Sequence, residues 1–355
     1  MSERYLVKVK PLEPFFFGGE LTFGADETRK GKEQSSRYSA TSTQFPQQTA
    51  LLGMLRKTML IQNGNLTMHK KGEWVDSFGK NSVSPNYDEA KELVGTEAFS
   101  YTKEIEIGKI ESISPLLICH EDKYYIANAK DDEYELKERV GMVSFGQGQK
   151  KAFVLEGYDA KKSKPFEFIS NTQEKKNYLD FFKELQSVGI KKSLTGQTEE
   201  DAFFRRKSYY PKDKAYFSFV VTFKEKMDWL EESVVSLGAD QSSFKFEIEE
   251  IDNDFDDLFS ENHQTKALSR IVLASSTLVS QEAYELCSFV LGERKTYRQL
   301  TDTRKGKKSQ RYYLLEKGSV LYSEEIENLE KLLDQKHLQN IGLNHYFSIK
   351  GNSDV

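Results

Sequence analysis

Cations and aromatic rings alternate in one short stretch of the sequence, between residues 188 and 211. Its members are Lys191, Lys192, Phe203, Phe204, Arg205, Arg206, Lys207, Tyr209 and Tyr210. Ammonium and guanidinium groups neutralise phosphates and aromatic faces stack on unpaired bases, so this combination suits the binding of single-stranded RNA. The alternative is an amphipathic strand whose phenylalanines lie in the core.

Two further basic clusters lie in loops. The first is Arg29, Lys30, Lys32 and Arg37, shortly before Pro46. The unpaired N–H groups at the start of a helix near Pro46 would favour phosphate there. The second and densest is Arg304, Lys305, Lys307, Lys308 and Arg311. A solvated loop is the alternative for the first cluster, and a disordered basic loop is the leading alternative for the second.

Charge is distributed unevenly along a chain whose net charge is -5. Residues 28–57 hold six basic residues against one acidic, 183–226 ten against six, and 294–317 nine against two, whereas 247–261 holds eight acidic residues and no basic one. The overall acidity argues against a protein that coats nucleic acid indiscriminately. Any contact with RNA must therefore be local.

The first half of the sequence predicts a strand, a loop and a helix, followed by more strands. Residues 4–17 alternate as a strand, and Leu51, Leu55 and Met59 form one ridge of a helix that begins with Pro46. Gly53 within that helix costs roughly 1 kcal/mol of helix stability relative to alanine. We therefore expect that a strand or an RNA backbone approaches Gly53 closely, and we favour the strand. Further helices are predicted at 88–94 and 174–185, and further strands at 104–112, 116–120, 123–127, 215–223 and 244–248, with 140–165 irregular.

The second half repeats this scheme. We predict strands at 270–278, 312–315 and 346–349 and helices at 281–291 and 324–338. Two such units suggest two similar halves packed side by side, although the sequence contains no strict repeat.

Catalytic motifs are missing from the sequence. The histidines (His69, His120, His263, His337 and His345) are not paired at the spacing of metal ligands, and no nucleophile elbow, phosphate loop or dinucleotide motif is present.

The acidic run at 247–261 lacks the glycine and the glutamate that a calcium-binding loop requires. Cys119 and Cys287 cannot form a disulfide framework. We expect a protein without metal or cofactor and, since no membrane span or secretion signal is apparent, a cytoplasmic one.

Several motifs in order resemble those of RAMP-superfamily proteins of CRISPR effector complexes. They are P-L-E-P-F-F-F-G-G at 11–19, F-P-Q-Q-T-x-x-x-G-x-x-R at 45–56, I-S-P-L-L-I at 113–118, V-G-I-K-K at 188–192, E-D-A-F-F at 200–204, L-G-A-D at 237–240 and E-K-G-S-V-L-Y at 316–322. Over nearly the whole chain, the order is similar to that of the Cas5-like subunit of type III-B (Cmr) complexes that holds the five-prime tag of the guide RNA.

The resemblance implies an α+β fold of two ferredoxin-like domains, at 1–235 and 236–355, with a thumb hairpin inserted near 188–219. It implies a non-catalytic subunit whose partners are the guide RNA, the large polymerase-like subunit and the backbone RAMP subunits. Thr49, Gly53 and Arg56 match the helix beside the RNA, and Lys191, Lys192, Arg205 and Arg206 match the thumb.

The chain departs from the family pattern at its glycine-rich loop, where Asn344 stands in place of a second glycine. Asparagine tolerates positive φ, so the turn can persist. Three alternatives stay open: the type III-A counterpart of the same subunit, a RAMP endoribonuclease with a histidine or lysine as general base, and a scaffold that contacts proteins through the acidic run.

Overall fold

The computed structural model of the protein describes residues 2–18, 39–66, 68–70, 73–75, 81–82, 87–95, 97–145, 148–159, 166–192, 195–196, 198–238, 240–252, 266–298, 300–302 and 307–351. Up to residue 250 its elements are β1 Glu3–Pro11, β2 Ser39–Thr41, α1 Gln48–Gln62, β3 Met68–Lys70, β4 Glu73–Val75, β5 Asn81–Ser82, α2 Tyr87–Val94, β6 Ile110–Ile113, β7 Leu117–His120, β8 Lys123–Ala127, β9 Glu135–Phe145, β10 Gly148–Glu156, β11 Glu167–Ser170, β12 Lys175–Asn177, α3 Tyr178–Phe181, β13 Phe182–Lys192, β14 Thr198–Pro211, β15 Tyr216–Phe223, β16 Ser233–Leu237 and β17 Ser242–Glu250. The remaining elements are β18 Arg270–Leu273, α4 Gln281–Leu286, β19 Phe289–Leu291, β20 Arg294–Tyr297, β21 Leu300–Asp302, β22 Lys307–Lys308, β23 Tyr312–Leu315, β24 Val320–Tyr322, α5 Ile326–Leu333, α6 Lys336–Gln339 and β25 Tyr346–Ile349.

A nine-stranded sheet forms the larger half of the protein. Its strand order is β12-β11-β8-β7-β15-β1-β17-β16, and β6 also pairs with β15. Strand β1 lies between β15 and β17, with Val7 opposite both Phe219 and Ile248. Alternate residues Tyr5, Val7 and Val9 belong to the main core, which confirms the predicted alternation.

Helix α1 supplies the predicted ridge to the same core. Leu51, Leu55 and Met59 are all buried. The helix begins two residues later than predicted, because Gln47 is its N-cap and Pro46 precedes it. Proline fixes the direction of the chain before the first turn rather than occupying that turn.

The smaller half contains a four-stranded antiparallel sheet of order β19-β24-β18-β25. Along the chain it runs strand, helix, strand, strand, helices, strand, which is the connectivity of a ferredoxin-like unit. The mixture of strands and helices confirms the α+β class, while the description as two ferredoxin-like domains stays a prediction. The predicted boundary after residue 235 falls inside β16, because the first sheet extends to Glu250 and the second begins at Arg270.

The two halves share one hydrophobic core. Leu338, Ile341 and Leu343 from the smaller half pack in the same cluster as α1 and the large sheet. The amide of Gln48 also donates to the carbonyl oxygens of Ser114 and Ile341, at 2.8 and 3.2 Å. The halves are therefore fixed relative to each other by packing and by hydrogen bonds.

Two predicted elements are wrong. The helix expected at 174–185 is instead the end of β12, one helical turn and the start of β13, because Tyr178, Phe181 and Phe182 all bury their rings. The irregular segment expected at 140–165 contains most of the β9–β10 hairpin, whose base residues Leu136 and Leu155 pack beneath the second sheet. Tertiary burial outweighs local propensity in both places.

Smaller differences concern the ends of elements. The strand expected at 104–112 is reduced to Ile110–Ile113, and the strand expected from 270 ends at Leu273. The helix expected at 281–291 ends at Leu286, where the chain turns into β19, and that expected at 324–338 is split into α5 and α6.

Candidate nucleic-acid interface

A long two-stranded hairpin made of β13 and β14, residues 182–211, occupies the place of the predicted thumb and is called the thumb hairpin below. Its strands pair from Phe182 opposite Pro211 outward, with Val188 opposite Arg205. It begins earlier than predicted, and the predicted end at 219 lies in β15 of the large sheet. Because the strands continue directly from the core, the direction of the hairpin is set by the fold.

Aromatic packing fixes the base of the thumb hairpin. Backbone hydrogen bonds of 2.8 and 3.0 Å join Phe15 and Tyr209 in both directions. The ring of Phe182 stacks on Phe217, with centroids 4.9 Å apart. Burial raises the pKa of the Tyr209 hydroxyl, so that group stays neutral. Tyr209, an aromatic candidate from the sequence, is therefore a core residue.

The outer part of the hairpin exposes apolar side chains. Val188 is 54% exposed and Ile190 is 51% exposed. In the described part of the chain, no carboxylate contacts the exposed guanidinium of Arg205, and Lys192 is exposed as well. The sequence reasoning did not place Val188 and Ile190 at the site, although their spacing by two within a charged strand could have indicated a shared exposed face.

Two of the predicted thumb cations are neutralised within the protein. Arg206 forms an ion pair with Asp240 and lies over the ring of Phe16 at 4.7 Å. Lys207 pairs with Glu184 at 3.1 Å. The L-G-A-D motif thus supplies the partner of Arg206 at the base of the hairpin. Both residues stay predicted RNA contacts, with Arg205 more openly placed than either.

Strand β2 brings the start of α1 beside the thumb hairpin. It runs parallel to β14, with Ser39 opposite Arg205 and Thr41 opposite Lys207. The next residue, Ser42, donates its N–H to the carbonyl of Lys207 at 3.0 Å. Strand β2 therefore joins the thumb hairpin to the segment that leads into α1.

Helix α1 presents an open face at Gly53. A Cβ built there finds no described atom within 4 Å, so the expectation that a strand packs on this glycine is wrong.

Thr49 is half-buried in the first turn. Arg56 donates to the carbonyl oxygens of Glu97 and Glu106 at 3.1 and 3.2 Å, and desolvation lowers its pKa. That use of Arg56 is structural, and its contact with RNA stays a prediction.

Several predicted site residues lie outside what the structure describes. Arg29, Lys30, Lys32 and Arg37 are among them, as are the side chains of Lys191, Phe203 and Phe204. The backbone of the last two is part of the hairpin, with Phe203 opposite Ile190 and Phe204 opposite Gly189.

The outer face of the large sheet is not an open cationic platform. Lys8 and Lys10 pair with Glu249 and Glu247 at 2.7 and 2.5 Å across adjacent strands. Further along the same sheet, Leu117 and other apolar residues are covered by Ala274 and Phe347 of the smaller half. Cation pairing and burial leave the thumb hairpin and α1 as the better-placed surface.

The glycine-rich loop is used inside the protein. Asn344 adopts φ 55°, which confirms that asparagine sustains the turn, and its side-chain oxygen accepts from the N–H of Leu278 at 2.8 Å. Gly342 has φ 77° and packs so closely on Gln48 and Ser114 that a Cβ would clash with both. The loop holds the N-terminal end of α1 in place.

Two of the histidines that a nuclease could use as general base, His120 and His345, are held by neighbours. His120 is 5% exposed, and its Nδ1 lies 3.1 Å from Lys176 Nζ. The Nε2 of His345 lies 3.0 Å from the carbonyl oxygen of Gln339. Within the described residues there is no group of three or more potential metal ligands, and no helix is long and apolar enough to cross a membrane.

Comparisons with known proteins agree with this architecture. The family model for CRISPR-associated protein (Cas_Cmr3) matches residues 155–350, more than half of the chain. No curated protein matches the sequence. A chain in the cryo-EM structure of the Type III-B Cmr-beta bound to cognate target RNA is similar with a TM-score of 0.52, 12% identity, and coverage of 97% of this chain and 96% of that one. A chain in the same assembly with target RNA and AMPPnP gives a TM-score of 0.51 with the same identity and coverage.

Proposed function

The chain belongs to the CRISPR-associated Cas_Cmr3 family, and from this premise we propose that it is a non-catalytic subunit of a type III-B (Cmr) effector that grips the five-prime tag of the guide RNA. One observation carries the proposal: the thumb hairpin exposes Val188, Ile190 and Arg205, and strand β2, which pairs with the hairpin at Arg205, leads into the segment that begins α1. Phosphates would lie along α1 and Arg205, and the apolar hairpin residues would separate the tag from the guide.

The remaining parts of the proposal follow from the family. The subunit would dock on the large polymerase-like subunit and the backbone RAMP subunits, in the cytoplasm where guide RNA is made. We propose that it does not cut repeat RNA, because His120 is buried against Lys176 and His345 lies against a backbone carbonyl. Incubation with repeat RNA without metal checks this, since cleavage lost on substitution of either histidine would overturn it.

Binding of guide RNA with and without the tag tests the main proposal. The purified chain should bind the tagged RNA more tightly, and Arg205→Ala combined with Ile190→Ser should reduce that preference. Lys91→Gln, at an exposed lysine of α2, serves as the control and should leave the preference intact. Equal affinity of the unaltered protein for both RNAs would refute tag recognition.

A further inference from the structure

Strand β16, Ser233–Leu237, forms one edge of the large sheet and is called the β16 edge below. Among the described strands it pairs only with β17, along its whole length and without a register shift. Its sequence, S-V-V-S-L, contains no charged residue, proline or glycine. The opposite edge of the same sheet, β12, includes Lys175 and Lys176. Charged side chains and prolines protect natural edges from added strands, and the β16 edge has neither.

The backbone groups of Val234 and Ser236 point away from the sheet. On the neighbouring strand, Ser243 donates its N–H to the carboxylate of Glu13 at 2.7 Å, and its carbonyl oxygen accepts from the N–H of Leu12 at 3.0 Å. Ser243 therefore turns both backbone groups toward the β1 side and away from Ser236, which lies opposite it on β16. Hydrogen-bonded and non-hydrogen-bonded positions alternate along an antiparallel pair, so Val234 and Ser236 both direct N–H and C=O outward. No described group hydrogen-bonds to these four backbone groups.

The side chains of the β16 edge leave one face open and hold the strand firmly by the other. Val234 is 69% exposed, and Ser236 is exposed as well. Val235 and Leu237 alternate with them and lie in the main core. Gln62 of α1 donates to the hydroxyl of the first residue of the strand at 3.0 Å. Because the edge is already ordered, a partner that pairs with it has little conformational entropy of this chain to overcome.

Acidic side chains at both ends of the β16 edge indicate the kind of strand that fits. Glu231 and Glu232 precede it, and Asp240 follows it. Glu232 pairs with Lys245 at 2.9 Å and Asp240 pairs with Arg206, whereas no described cation contacts the exposed Glu231 carboxylate. Two copies of β16 paired antiparallel would bring Glu231 of each copy toward Asp240 of the other, and like charges disfavour that arrangement. A strand that carries lysine or arginine beyond its apolar residues would meet the opposite charge instead.

We propose that the β16 edge is a docking site for another protein of the effector, which adds an extended segment as a further strand of the large sheet. The outward backbone groups supply the hydrogen bonds of this added strand. The segment has apolar side chains at alternate positions, one of which packs on Val234, and a basic residue next to Glu231. The inference rests on the proposed function, because it takes the partner from the same effector.

Variants of the edge test the proposal in the full chain, titrated into the remaining protein subunits of the effector, purified together without guide RNA. An edge strand tolerates proline where the missing N–H faces solvent, so Ser236→Pro should keep the pairing with β17. It should weaken binding about tenfold, since one ladder hydrogen bond is lost and the ring hinders an approaching strand. Val234→Lys should also weaken binding, because it places a charge on the edge and repels a basic segment. Ser236→Thr keeps the N–H and should bind like the unaltered chain.

A charge reversal and hydrogen exchange examine the same contact independently. Glu231→Lys should weaken binding at low salt, whereas Glu92→Lys, the same change at an exposed residue of α2, should not. The N–H groups of Val234 and Ser236 should exchange more slowly in the assembled effector than in the free chain. Urea unfolding verifies that each variant is folded.

Unchanged affinity of both Ser236→Pro and Val234→Lys would overturn the inference. So would a dimer of the free chain that Ser236→Pro abolishes, because the edge would then bind a second copy. None of these variants should alter the preference of the free chain for tagged RNA. A wild-type chain without tag preference would refute tag recognition and leave the result at the β16 edge standing, so the two failures are distinguishable.

Discussion

Replacement of Gly53 by alanine should stabilise the protein and weaken its binding of RNA. Gly53 lies inside α1, is exposed, and has no described atom within 4 Å of the position that a methyl group would take. A helical glycine costs about 1 kcal/mol relative to alanine, and nothing in the described surroundings offsets that gain by a clash. The free energy of unfolding of Gly53→Ala should therefore rise by roughly 0.5–1 kcal/mol.

The same methyl group should hinder an RNA backbone that approaches α1 closely. Loss of one close polar contact is worth about 0.5–1.5 kcal/mol, or roughly a two- to tenfold loss of affinity. Gly53→Leu, which keeps good helix propensity but is bulkier, should lose more affinity while keeping most of the added stability. Urea unfolding and direct titration with tagged guide RNA measure the two effects on the same samples.

Gly342→Ala is the matched control. Its φ of 77° and its contact with Gln48 and Ser114 predict a loss of stability for the same chemical change. A destabilised Gly53→Ala variant would show that the face of α1 is not open. Unchanged RNA affinity in both Gly53 variants would show that no RNA backbone approaches the helix there.

Three further predictions concern buried or half-buried groups. Asp131→Ala leaves the guanidinium of Arg270, 2% exposed, without its carboxylate at 3.1 Å, so urea unfolding should show a loss of about 3–5 kcal/mol. Desolvation lowers the pKa of Lys317, so the folded protein binds its proton less well than the unfolded chain does. Lys317→Met should therefore be stabilising below that lowered pKa, and its advantage in thermal unfolding should shrink as pH rises toward about 10.4. Burial raises the pKa of Cys119 to about 12, and Cys287 is buried too, so a thiol reagent should modify neither in the native protein and both after unfolding. Rapid native modification would contradict that packing.

Elements whose pattern is local can be predicted from the sequence. The alternation of Tyr5, Val7 and Val9 and the ridge of Leu51, Leu55 and Met59 both follow from the geometry of a single strand or helix. The strands predicted at 123–127, 312–315 and 346–349 have their observed limits for the same reason. The presence of a thumb hairpin is also predictable, through family motifs rather than through periodicity.

Contacts between distant segments, by contrast, establish which candidate cations are neutralised. Asp240 is far from Arg206 in sequence, and a charge run cannot show that a distant carboxylate will meet one of its members. Such contacts also replace the expected helix at 174–185 by strand and one helical turn, because Phe182 is packed between Phe15 and Phe217. Local propensities differ by a few tenths of a kcal/mol per residue, whereas burial of one aromatic side chain contributes about 1.5–3 kcal/mol, so tertiary packing prevails wherever the two disagree.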